Sequence, residues 1–128
     1  MNITVSIQQA REPVAVMRLQ GDIDASNFVQ VVDKAREIYQ NPARNLVIDL
    51  SEVPSISTTG LVAIHKIALL YSGVPEKLAH PDLTHNSAAR KYVKLLNPQP
   101  PVEEALETAG LKLFFKVFHD LESALNSF

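Results

Sequence analysis

The chain opens on a period of two. Ile3, Val5 and Ile7 alternate with Thr4 and Ser6, the signature of a half-buried strand. A turn around Arg11, Glu12 and Pro13 follows, and Val14, Val16, Arg18 and Leu19 then form a second strand, the hairpin partner of the first. The period next shifts to that of a helix: Phe28, Val31, Val32, Ala35 and Tyr39 recur at helical spacing behind Asp24 or Ser26 as cap. Asn41 and Pro42 stop that helix. The run Asn45, Leu46, Val47, Ile48, Asp49, Leu50 is short and apolar, as in a central strand covered on both faces.

A second helix is predicted from about Thr59 to Tyr71, with Gly60 just inside it. Residues 72 to 88 hold Gly73, Pro75, Pro81 and two histidines, which spells a long surface loop. Lys91 to Leu96 is the next strand. Pro100 and Pro101 suit the start of a third helix, with Val102, Ala105, Leu106 and Ala109 inward and Gly110 at its end. Leu113 to Phe118 is a last strand, and Asp120 caps a last helix through Leu121, Ala124, Leu125 and Phe128. Strands alternating with helices imply an α/β domain with a mixed, mostly parallel sheet of about five strands and four helices. At 128 residues the chain has room for one such domain.

Composition mainly removes possibilities. The absence of cysteine excludes disulfides, thiolate catalysis and cysteine-based metal sites, and suits a reducing cytoplasm. A net charge of -2, with no cluster of Lys and Arg, gives no case for nucleic acid. The start of the chain lacks the basic and apolar stretches of a signal peptide. The apolar run from Leu61 to Tyr71 is interrupted by His65 and Lys66, so no membrane span is expected. Glycine-rich phosphate loops, nucleophile elbows and Ser-His-Asp patterns are missing, which argues against an enzyme. His80 and His85 flank Asp82 in the long loop, but three convergent ligands are not in evidence, so neither a metal nor another cofactor is expected.

Four stretches in register carry a family resemblance. Leu19 to Ala25 contains Gly21, Asp22, Ile23 and Asp24, a Gly-acid-apolar-Asp turn. Leu46 to Ser51 reads Leu-Val-Ile-Asp-Leu-Ser. Pro54 to Leu61 contains Ser57, Thr58, Thr59 and Gly60, where a related pattern reads Asp-Ser-Ser-Gly-Leu. Leu95 to Pro98, Thr108 to Leu111 and Phe118 to Leu121 complete the tail. The chain resembles STAS domains of the anti-sigma-factor antagonist type over nearly its whole length, residues 72 to 88 excepted, which look like an insertion in one domain spanning 1 to 128.

The resemblance implies a bacterial, cytoplasmic partner switch that regulates transcription. In such proteins a hydroxyl residue before the glycine is phosphorylated by an anti-sigma factor that is itself a Ser/Thr kinase of the histidine-kinase-like ATPase type. The unmodified form captures that kinase, the modified form releases it, and a phosphatase resets the cycle. By position the acceptor is Thr59, with Thr58 and Ser57 as alternatives. The contact surface would comprise Asp22, Asp24, Ser57, Thr58, Gly60, Val62, His65, Lys66 and Leu69. A homodimer is left open. The alternative is a non-phosphorylated STAS scaffold or adaptor subunit in a signalling, lipid-associated or nucleotide-associated complex.

The chemistry suits the place. A helix start exposes unpaired N–H groups and the positive end of the helix dipole, so a phosphate there finds donors without refolding. Gly60 lacks a side chain and would let a partner backbone approach the hydroxyl. Leu61, Ile64, Ala68 and Tyr71 face the core in this reading, and Val62, His65, Lys66 and Leu69 face outward. Plainer roles compete: hydroxyls at 57 to 59 as helix caps, Asp22 and Asp24 as turn formers, and Asp49 as an acceptor of backbone N–H groups at the sheet edge. Ser57 stands where the related pattern has Asp, so the motif's acid is missing while its capping ability is kept.

Overall fold

The computed structural model describes residues 1–40, 45–71, 92–113 and 115–128. A hairpin of β1 (Asn2–Gln9) and β2 (Pro13–Gln20) is followed by α1 (Phe28–Tyr39), β3 (Asn45–Glu52) and α2 (Thr58–Tyr71). Then come β4 (Val93–Leu96), α3 (Pro100–Thr108), a 3-10 turn (Leu111–Leu113), β5 (Lys116–Phe118) and α4 (Leu121–Leu125). The five strands lie side by side in chain order, β1 antiparallel to β2 and the rest parallel. Because every parallel step advances to the next position, right-handed crossovers bring their helices to one face.

That face holds the main core. Ala15, Met17 and Leu19 of β2, Leu46, Ile48 and Leu50 of β3, and Val93 and Leu95 of β4 meet Val31 and Ala35 of α1, Ile64 and Ile67 of α2, and Val102 and Leu106 of α3. Full burial of a side chain of this size contributes about 2 kcal/mol. Tyr71 ties two of the helices, its hydroxyl donating to the Ala35 carbonyl at 3.0 Å. On the opposite face, among the described residues, Ala124, Leu125 and Phe128 settle on Val14, Val16, Val47 and Leu96.

Several expectations shift. The fifth strand begins at Lys116 rather than Leu113: Gly110, at φ 76°, ends α3 and sends the chain through the 3-10 turn, leaving Leu113 half exposed. Neither Asp24 nor Ser26 caps α1; Asn27 precedes it, and the other two close a turn of their own. Asp49 is central rather than at a sheet edge. It lies buried on β3 opposite Arg18 of β2, accepting from the Arg18 Nε at 3.2 Å and the Ser51 N–H at 3.0 Å. The expected loop of residues 72 to 88 lies outside the described residues, as do His80, Asp82 and His85.

Candidate functional site

Two loops leave the carboxyl ends of adjacent parallel strands, the place where open α/β sheets present their sites. The β2–α1 loop turns at Gly21, whose φ of 115° suits only glycine and whose N–H donates to the Glu52 carbonyl. Two residues on, Ile23 is clasped by the β3–α2 loop. Its N–H donates to the Ser55 carbonyl at 3.1 Å, and its carbonyl accepts from the Ser57 N–H at 2.9 Å. An isolated parallel bridge pairs it with Ile56. The buried Ile23 side chain thus anchors a loop whose flanking residues, Asp22 and Asp24, run beside Ser55 to Ser57.

The acidic loop is braced by a residue that the sequence reading passed over. Asn27, nearly buried, donates from Nδ2 to the Asp22 carbonyl at 2.7 Å and accepts the Asp24 N–H on Oδ1 at 3.0 Å. The Asp24 carboxylate accepts from both the N–H and the hydroxyl of Ser26, and these bonds hold its pKa below the usual value. An Asn three residues beyond an Asp is a local signal for such bracing, although several turn types share it.

Across from it, α2 starts. Ser57 caps the helix, its Oγ accepting the Gly60 N–H at 3.1 Å while its carbonyl accepts the Leu61 N–H. Thr58 and Thr59 occupy the first two helical positions and are exposed. Their N–H groups have no partner among the described residues, and the first turn carries no acid. The helix start therefore shows uncompensated positive polarity beside two hydroxyls.

Gly60 has a reason other than the expected one. It is buried, and a Cβ at this position would press on the Ile23 carbonyl and come within 2.7 Å of the Ile56 Cγ1. What approaches Gly60 is the molecule's own β2–α1 loop rather than a partner backbone. Further along α2, Val62 is exposed, and His65 and Lys66 are half buried. The Lys66 ammonium lies 5.6 Å from the Phe28 ring centre, so this part of α2 is stitched to the start of α1. Burial lowers the His65 pKa, keeping its imidazole neutral near pH 7. Leu69 is withdrawn from the expected surface: only 8% exposed, it joins Ile67, Ala68 and Tyr71 in a buried arc wider than one stripe. The outward face of α2 thus runs from Thr58 to Lys66.

Among the described residues no group of acidic or histidine side chains is arranged to hold a metal ion, and no helix is long and apolar enough to cross a membrane. The two tied loops and the exposed helix start lie together on one surface of the domain. The protein is a small α/β domain with an exposed helix start beside the β2–α1 loop. A STAS domain model matches residues 6–72, more than half of the chain, and the chain belongs to that family.

Solved structures agree on the fold. An anti-sigma factor antagonist from Mycobacterium paratuberculosis is 19% identical, with a TM-score of 0.69 over 98% of this chain and 93% of that one. The Bacillus cell fate determinant SpoIIAA in its phosphorylated form is 16% identical, with a TM-score of 0.59 over 96% and 97%. The murine Slc26a9 anion transporter is 17% identical, with a TM-score of 0.63 over 88% of this chain and 17% of that one. At such identities the likeness is one of fold. No curated protein sequence matches the chain.

Proposed function

We propose that this protein is an anti-sigma factor antagonist that binds an anti-sigma factor of the Ser/Thr-kinase type and releases it when Thr59 is phosphorylated. The observation that carries the reading is the start of α2: an exposed threonine at its second position, N–H groups beside it that have no partner among the described residues, and no acid in the first turn. A phosphoryl group there would add about -1.5 to -2 charges on a surface next to the loop of Asp22 and Asp24. A partner that must cover this surface then buries a cluster of negative charge. A penalty of about 2.8 kcal/mol already weakens binding roughly a hundredfold. No catalytic role is assigned to any residue; the chain acts by contact. Similarity to structures of anti-sigma factor antagonists supports the reading at the level of the fold.

The test begins with capture of the partner from the native cell and mapping of the phosphosite. Incubation with the captured kinase and ATP is expected to add one phosphoryl group, on Thr59. Thr59→Ala should then hold the kinase constitutively, and Thr59→Glu should bind it at least tenfold more weakly. Binding by the two variants that is equal, with no labelling of the wild type, would replace the switch with a non-phosphorylated scaffold.

A further inference from the structure

The two edges of the sheet differ in how they are guarded. Edge strands expose alternate N–H and C=O groups, and proteins blunt them with short length, charge or proline. β5 is three residues long and carries Lys116. β1 is eight residues long, Asn2 to Gln9, and contains no charged residue, no proline and no glycine. It ends the sheet, so half of its residues, in alternation, direct backbone groups away from β2. Among the described residues nothing pairs with that outer rim.

The side chains add a second asymmetry. Val5 and Ile7 stand in register with Met17 and Ala15, on the face that carries the helices, yet they are 40% and 54% exposed. Ile3, on the same face, packs against the core. The two uncovered apolar residues are therefore placed evenly about Ser6. This spacing is self-complementary. If a second β1 runs antiparallel along the first with Ser6 opposite Ser6, Val5 of each strand meets Ile7 of the other. Thr4 likewise meets Gln8, and the same faces stay aligned because the register shift is even. With no charge on the strand, no like-charge pair arises across the two-fold axis.

We infer that β1 pairs with β1 of a second copy of this chain, joining the two five-stranded sheets into one continuous sheet about a two-fold axis at Ser6. The lack of charge along β1 lets a second copy lie on it without like-charge repulsion. The contact is a strand edge with one small apolar cluster, which corresponds to self-association in the micromolar range.

The experiment uses the whole chain. Analytical ultracentrifugation from about 5 to about 500 μM spans that range, and the wild type is expected to pass from the monomer mass to twice that mass. Val5→Lys/Ile7→Lys and Val5→Glu/Ile7→Glu should each remain monomeric, because like charges then face each other. Mixed in equal amounts, the two double variants should restore the dimer, since the ammonium groups of one copy would face the carboxylates of the other. The natural chain has no cysteine, so Ser6→Cys gives a clean crosslinking probe even if the charged variants fold poorly. A short bismaleimide should join Ser6→Cys to itself, but not Ser123→Cys on α4. A wild type that stays monomeric at every concentration would overturn the inference. So would a dimer indifferent to the charges, or one without crosslinking at position 6.

Discussion

Two helices of this protein are capped in the same way and differ in the charge at their starts. At the start of α4, Asp120 accepts the Ser123 N–H at 2.8 Å; at the start of α2, Ser57 accepts the Gly60 N–H at 3.1 Å. Each cap satisfies the N–H three residues on. Asp120 also neutralises the positive end of its dipole, helped by Glu122, and backbone bonds from Ser123 lower its pKa. At α2 neither the cap nor the first turn carries a charge. Capping alone therefore does not explain Ser57, because Asp would cap as well and compensate the dipole too. The difference teaches that the start of α2 is capped without a charge, so the positive end of its dipole stays uncompensated.

The largest effect separates the two helices at their third position. Gly60→Ala must displace the backbone of Ile23, and a loss of about 3 kcal/mol is expected in urea unfolding. Ser123→Ala, at the equivalent and exposed position of α4, should stay within about 0.5 kcal/mol. Next comes the brace. Asn27→Ala leaves the Asp24 N–H and the Asp22 carbonyl without their partner and should cost about 2 kcal/mol in the same assay.

The caps themselves are worth less. Ser57→Ala and Asp120→Ala are each expected to cost about 1 kcal/mol. Thr59→Asp sharpens the comparison: it should stabilise the fold by about 0.5 kcal/mol at low salt, a gain lost at about 1 M NaCl. If Thr59→Asp destabilises instead, the start of α2 does not favour an anion. The smallest effect follows from His65. Its folded pKa lies below the ordinary 6.5 because burial disfavours the charged imidazole. The unfolded chain then binds the proton more readily, so stability is full above that value and falls as pH drops through it. The melting temperature should decline between about pH 7.5 and about pH 5.5, and His65→Gln should flatten the decline.

The same contrast explains what the sequence made legible. Local signals were sufficient for the period-two strands, the Pro100–Pro101 helix start, the Gly110 stop, and the caps at Ser57 and Asp120, because the deciding contacts lie within a few residues. The mixed, mostly parallel character of the sheet followed from the alternation of strands and helices, whereas the side-by-side order of the strands did not. What escaped depends on segments far apart in the chain. The burial of Gly60 is set by the Ile23 carbonyl, 37 positions earlier. The centrality of Asp49 is set by its pairing with Arg18. Leu69 looks like a surface residue from spacing alone, since the periodicity of one helix cannot tell how many neighbours wrap it. Asn27 escaped because asparagine before a helix has an ordinary explanation, and its two bonds reach backward into the loop.

The clasp on Ile23 has a mechanical corollary. Held on both sides by backbone bonds and roofed by a glycine with no room for a methyl group, the acidic loop and the helix start are tied into one unit. Under the proposed switch, a phosphoryl group on Thr59 would be read where it is written, by the partner that lands on the helix start.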